Sequence, residues 1–136
     1  MGSPALMRLL LDTHVWIWNL GDPKRLSPGV SRLLGQNEIW LSSASVWETM
    51  VLGRSGKLGI GKGETPLAWI RRALRDSGVR EASLTHEIAL ESECLALPHG
   101  DPADRFIVAT ANVLGLVLVT ADRKILSAKA CEVLEA

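Results

Sequence analysis

Four acids, Asp12, Glu48, Asp104 and Asp122, each stand close to a short apolar run. In an open parallel sheet, ligands sit outside the carboxyl ends of the strands at the point where the strand order reverses. Asp12 ends the first such run, Leu9-Leu10-Leu11, and Asp122 follows another, Leu116 to Thr120. Right-handed crossovers also bring Glu48 and Asp104, each on a helix beside a strand, to that edge. Carboxylates packed within a few ångströms repel and some protonate, whereas a hard divalent cation keeps them ionised. The set therefore implies Mg²⁺ or Mn²⁺. Such an ion activates water and neutralises a phosphodiester during in-line displacement, so no His, Cys or Ser nucleophile is required.

Every one of these acids also has a structural reading. Asp12 suits the N-cap of the next helix. Ser45-Val46-Trp47-Glu48 fits the S-x-x-E capping box. Asp101 suits an N-cap, with Pro102 at the first helical position and Asp104 in the first turn, favoured there by the helix dipole. For Asp101 the capping role is the stronger reading. Asp122 fits the start of a helix over Arg123 to Ser127. The chemical reading of the other four rests on their common edge.

The elements that must position them alternate between strand and helix, which predicts an α/β fold with a mainly parallel sheet. Strands are expected at Leu9 to Leu11, Ile39 to Ser42, Val79 to Ser83, Leu116 to Thr120 and near Cys131 to Leu134. Helices are expected at Thr13 to Asn19, Pro28 to Leu34, from a cap at Ser43 or Ser45 to near Gly53, Leu67 to Asp76, Thr85 to Leu97, Asp101 to about Val113, and after Asp122. Gly53 to Gly63 reads as the one flexible loop.

Together these residues resemble a PIN-domain ribonuclease of the bacterial VapC toxin type. The likeness rests on Leu9-Leu10-Leu11-Asp12-Thr13-His14, Ser42-Ser43-Ala44-Ser45-Val46-Trp47-Glu48, Asp101-Pro102-Ala103-Asp104-Arg105 followed by Ala109-Thr110-Ala111, and Leu118-Val119-Thr120-Ala121-Asp122. These blocks run in the family's order over nearly the whole chain, while Gly53 to Ser83 matches poorly. The resemblance implies a three-layer α/β/α fold with strand order 3-2-1-4-5. It also implies dependence on Mg²⁺ or Mn²⁺, cleavage of single-stranded RNA, homodimerisation, and neutralisation by a cognate antitoxin as one half of a type II toxin-antitoxin pair. The family's metal positions match Asp12, Glu48, Asp104 and Asp122, and its hydroxyl near the metal matches Thr120. Asp101 matches a recurrent family position with a supporting role. The rival within the same fold is a catalytically silent RNA- or protein-binding module.

Composition narrows the field further. The 136 residues, 47% hydrophobic, suffice for one domain spanning 1–136, and Met1 to Leu6 ahead of Met7 reads as an expression scar. Fifteen basic residues balance fifteen acidic ones, so a polyanion must be met by a local patch and not by the bulk field. Two cysteines, Cys94 and Cys131, exclude a disulfide scaffold and point to a reducing cytoplasm. No apolar run approaches ~18 residues, so no membrane is expected as a partner. Gly56 to Lys62 mimics a phosphate loop, but Gly63 replaces the required Ser/Thr and no strand leads into it. Arg54 and Lys57, with Lys62, are candidate RNA contacts on that loop, against the simpler reading of a solvated segment. Arg71, Arg72 and Arg75 read as a polar helix face. His14, His86 and His99 lack ligand spacing and read as structural or surface residues. Of five tryptophans, most should be core, with one or two left to anchor a partner. An aspartyl-phosphate enzyme is disfavoured, because His14 stands where a dehalogenase-type phosphatase needs its second aspartate and a receiver's acidic pair is missing.

Overall fold

The computed structural model describes residues 6–98 and 100–136. The tail expected as a scar lies, up to residue 5, outside the described residues, and so does His99. Five strands, β1 (Arg8–Leu11), β2 (Glu38–Ser42), β3 (Arg80–Ala82), β4 (Val117–Thr120) and β5 (Val133–Glu135), form one sheet in the order β3-β2-β1-β4-β5. All the pairings are parallel, a stronger result than the mainly parallel sheet expected.

β1 occupies the centre, and Leu9, Leu10 and Leu11 are wholly buried. Their side chains alternate between faces, as a period of two requires. Leu9 and Leu11 join one apolar cluster with Val15, Trp16, Val30, Leu34 and Ile70, while Leu10 joins another with Ile107, Val108, Leu118 and Ile125. The first cluster draws on helices α1 (Thr13–Gly21), α2 (Pro28–Gln36) and α4 (Pro66–Ser77); the second draws on α6 (Pro102–Leu114) and α7 (Arg123–Ala128). α3 (Ser43–Arg54) contributes to both, and α5 (His86–Cys94) packs on α6. The three expected layers are therefore present.

Local chemistry sets where the helices begin. Ser27-Pro28, Thr65-Pro66 and Asp101-Pro102 each pair a capping oxygen with a proline at the first helical position. Gly78 and Gly115 end α4 and α6 in the left-handed conformation. At Gly53 the constraint is space, since an added Cβ would stand 2.7 Å from Pro66 Cβ. The end of α3 and the start of α4 approach closely there because glycine leaves the space.

Several boundaries differ from expectation. The cap of α3 is Ser42, whose Oγ accepts from the Ala44 amide at 3.0 Å, and not Ser43 or Ser45. Ser45 is wholly buried inside the helix, so the capping box falls and Glu48 has no capping duty. α5 stops at Cys94, short of Leu97; Leu97 precedes Pro98, which disfavours helical backbone in its neighbour. A 3-10 turn, Pro23–Arg25, links α1 to α2. At the amino edge of the sheet Trp40 Nε1 donates to Glu38 Oε1 at 2.6 Å, while Arg8 and Arg80 lie over the Trp40 ring and pair with the same carboxylate. Those two arginines are engaged far along the strands from the carboxyl edge.

Candidate functional site

The carboxyl edge of the sheet holds a cavity of about 380 Å³ lined by Asp12, Glu48, Asp101, Asp104 and Asp122, with Thr13, His14 and Trp18 in its wall. It opens where β1 and β4 lie side by side and the chain order reverses. Asp12 extends β1, and its amide donates to the Val119 carbonyl at 3.0 Å. Its carboxylate is held on both oxygens: Oδ1 accepts from the Thr13 amide at 2.8 Å, and Oδ2 accepts from the Thr120 hydroxyl at 2.7 Å. The same Thr120 oxygen accepts from the Asp122 amide at 3.0 Å. One buried hydroxyl thus fixes the spacing of two acids whose positions are 110 apart in the numbering.

Glu48 is held in the same manner. Thr13 is 1% exposed, and its hydroxyl donates to Glu48 Oε1 at 2.6 Å. Two threonines therefore tie two carboxylates, one from each side of Asp12. Asp101 Oδ1 accepts from the Ala103 amide at 3.0 Å and from the Asp104 amide at 3.5 Å, so it caps α6 while facing the cavity. Asp122 caps α7 through Oδ1 alone, accepting from Lys124 and Ile125. Asp122 also lines the crevice. Asp12, Asp101 and Asp122 each stand at a helix start, where the positive end of the dipole favours their charge.

That favourable field does not cancel confinement. Burial pushes the Asp12 carboxyl above its ordinary range, and the Asp122 charge adds to the rise, against the bonds from Thr120 and Thr13. Burial also raises Glu48, helped by the charges of Asp12 and Asp101 and opposed by the Thr13 hydroxyl. A site that raises its own acids in this way favours a cation. The four candidate ligands Asp12, Glu48, Asp104 and Asp122 offer carboxylate oxygens, which suit Mg²⁺ or Mn²⁺ and not a soft metal. Among the described residues, no three side chains of metal-binding type are yet drawn close enough to hold an ion, so the acids share a cavity without forming a finished cage.

Arg54 and Lys57 lie on the exposed stretch at the end of α3 and do not line this cavity. His14, expected as a structural or surface residue, is exposed and stands in the cavity wall. Trp16 is core, as expected of most tryptophans, but Trp47 is 62% exposed beside Glu48. The role of the Thr13 hydroxyl was missed from sequence, although its place next to Asp12 marks it as the first residue of the helix that faces the acids.

Fold and acid cavity together define a class, and the family model described as "PIN domain" matches residues 9–130. The chain belongs to the PIN domain family. Over 123 residues it is 33% identical to Ribonuclease VapC22 of Mycobacterium tuberculosis (strain ATCC 25618 / H37Rv), covering 88% of this chain and 90% of that one. Among solved structures it is similar to VapBC2 from Rickettsia felis bound to a promoter DNA fragment, with a TM-score of 0.70 at 15% identity over 95% of this chain and 98% of the other. It is also similar to VapBC-1 from nontypeable Haemophilus influenzae, with a TM-score of 0.68 at 22% identity over 95% and 98% of the two chains. These likenesses show the fold, and the homology to a VapC ribonuclease supports a nuclease. Among the described residues no helix is long and apolar enough to cross a membrane.

Proposed function

We propose that the chain is a metal-dependent endoribonuclease that hydrolyses phosphodiester bonds of single-stranded RNA, as the toxin of a type II toxin-antitoxin pair. The observation that carries this reading is the cavity at the β1/β4 reversal that Asp12, Glu48, Asp104 and Asp122 all line. Those four would hold Mg²⁺ or Mn²⁺, which when bound supplies an activated water and offsets the charge of the phosphodiester. The chain's own part is positional. Thr120 and Thr13 hold the carboxylates of Asp12 and Glu48, and Asp101 fixes the start of α6, whose first turn brings Asp104 to the cavity wall.

The likeness to Ribonuclease VapC22 supports RNA as the substrate, and the likeness to VapBC complexes supports an antitoxin partner. A homodimer in the cytoplasm belongs to the same proposal. The deciding experiment incubates the purified protein with labelled single-stranded RNA, with Mg²⁺ or Mn²⁺ and with chelator. Cleavage is expected only with metal, and Asp12→Asn should abolish it while leaving the fold. Asn keeps the volume but removes the charge that a divalent ion needs. Cleavage in chelator, or at wild-type rate by Asp12→Asn, refutes the assignment.

A further inference from the structure

The cavity presents a problem for the substrate proposed above: its wall carries five acids and, among the residues that line it, no Lys or Arg. A ribose-phosphate strand entering there needs a cation at the rim, and the chain's net charge of zero supplies none at long range. The one wall that is not acidic belongs to α1. His14 and Trp18 lie one turn apart there, their ring centroids 6.0 Å apart and tilted by 49°. Beyond them the Arg25 guanidinium sits over the Trp18 ring, 4.5 Å from its centroid.

This row is built. The turn that carries Arg25 is locked by Pro23, by the Arg25 amide donating to the Asp22 carbonyl at 3.1 Å, and by Leu26, which is 5% exposed and anchored in the core. Arg25 makes no ion pair among the described residues, unlike Arg8, Arg72, Arg75, Arg80 and Arg123. A guanidinium held over an indole by cation–π attraction keeps N–H donors that can reach phosphate oxygens.

We propose that Arg25, Trp18 and His14 form the strand-binding subsite beside the acids, with Arg25 taking a backbone phosphate and the exposed His14 ring, backed by Trp18, taking a base. Aromatic stacking together with a cation on the backbone is how proteins hold single strands without reading sequence. The subsite rests on the ribonuclease reading, and it supplies what the acid cavity lacks.

The test measures binding of a fluorescent single-stranded RNA to Asp12→Asn protein in Mg²⁺, over a range of salt. Adding Arg25→Ala is expected to weaken binding about tenfold and to flatten the log-log salt slope by about 0.7, one phosphate's worth. Trp18→Leu should weaken it similarly, and the double variant little further, because the two act as a unit. If Trp18→Leu does not fold, Arg25→Lys serves instead: it keeps the charge and loses the flat face, and should bind between parent and Arg25→Ala. Mn²⁺-induced thermal stabilisation of Arg25→Ala in the otherwise wild-type chain should match wild type, since the row holds no ion. Arg25→Ala binding within twofold of its parent, at unchanged slope, overturns the subsite while leaving the nuclease reading intact. If the parent binds no RNA and wild type cuts none with Mn²⁺, both readings fall. A loss confined to binding of an acidic peptide would assign the row to a protein partner and refute the RNA subsite.

Discussion

The Thr13 hydroxyl donates to Glu48 Oε1 at 2.6 Å across a separation of 35 residues, with Ser45 Oγ 3.0 Å from the same hydroxyl. The first residue of α1 thereby holds the acid of α3. Thr13→Val keeps the shape and deletes the donor, leaving a half-buried carboxylate without its partner. A loss of about 1–3 kcal/mol is expected, together with weaker Mn²⁺ binding by calorimetry and slower cleavage. Thr13→Ser should restore the affinity. If Thr13→Val binds Mn²⁺ as wild type does, the bond has no part in positioning Glu48.

Cap and charge separate at Asp101. Asp101→Ala should lose about 0.5–2 kcal/mol of stability, because the Ala103 and Asp104 amides lose their acceptor. Asp101→Asn keeps an acceptor and should stay near wild type in both stability and cleavage. Urea melts and RNA cleavage of the two variants make the comparison. Full stability with lost cleavage in Asp101→Asn would make the charge, and not the cap, its contribution.

The raised carboxyls of Asp12 and Glu48 fix the sign of a pH effect. Folded-state values above the unfolded ones mean that the native protein binds protons more tightly, so ionising these groups costs stability. That cost is absent below the unfolded value, about 4, and complete above the folded values. In chelator, Asp12→Asn should therefore be more stable than wild type at neutral pH, and its advantage should vanish as pH falls toward about 4. Mn²⁺ reverses the order: at one hundred times its dissociation constant it should stabilise wild type by about 2.7 kcal/mol at neutral pH and less on acidification. Thermal melts with and without chelator read both effects, and an advantage that grows on acidification would contradict the assignment.

Gly53→Ala sets helix propensity against space. Alanine normally gains about 1 kcal/mol over glycine inside a helix, but here the new methyl meets Pro66 Cβ at 2.7 Å. Forced repacking costs typically 1–3 kcal/mol, so a net loss near 1 kcal/mol is expected. Gly35→Ala in α2, where nothing lies within 4 Å, should instead gain a few tenths to 1 kcal/mol. Equal effects at the two sites would mean that the contact of α3 with the start of α4 tolerates a wider spacing.

Where one physical signal dominated, the sequence was legible. Three adjacent leucines suit a central parallel strand buried on both faces, and Ser27-Pro28, Thr65-Pro66 and Asp101-Pro102 mark helix starts, whereas Asp22-Pro23 opens only a 3-10 turn. Competing signals produced the errors. Ser42, Ser43 and Ser45 are all competent caps, and the choice was made by the length of β2, which ends at Ser42. Leu95 and Leu97 continue an apolar pattern that Pro98 then stops. Within the cavity the acids announce themselves by charge, but a threonine hydroxyl aimed at a carboxylate on another helix leaves no mark in composition. The same holds for Arg25, whose value depends on lying over Trp18 after a turn.

The bond from Thr120 to Asp12 joins positions separated by 108 residues, and it forms only when β4 slots against β1. As the chain emerges from a ribosome, Asp12 is made 108 residues ahead of its tether. Parallel neighbours bring no early reward, because each must wait for its crossover. A chain that has not yet reached Thr120 therefore holds one wall of the crevice without the other, and the cavity takes its shape only when β4 has joined the sheet.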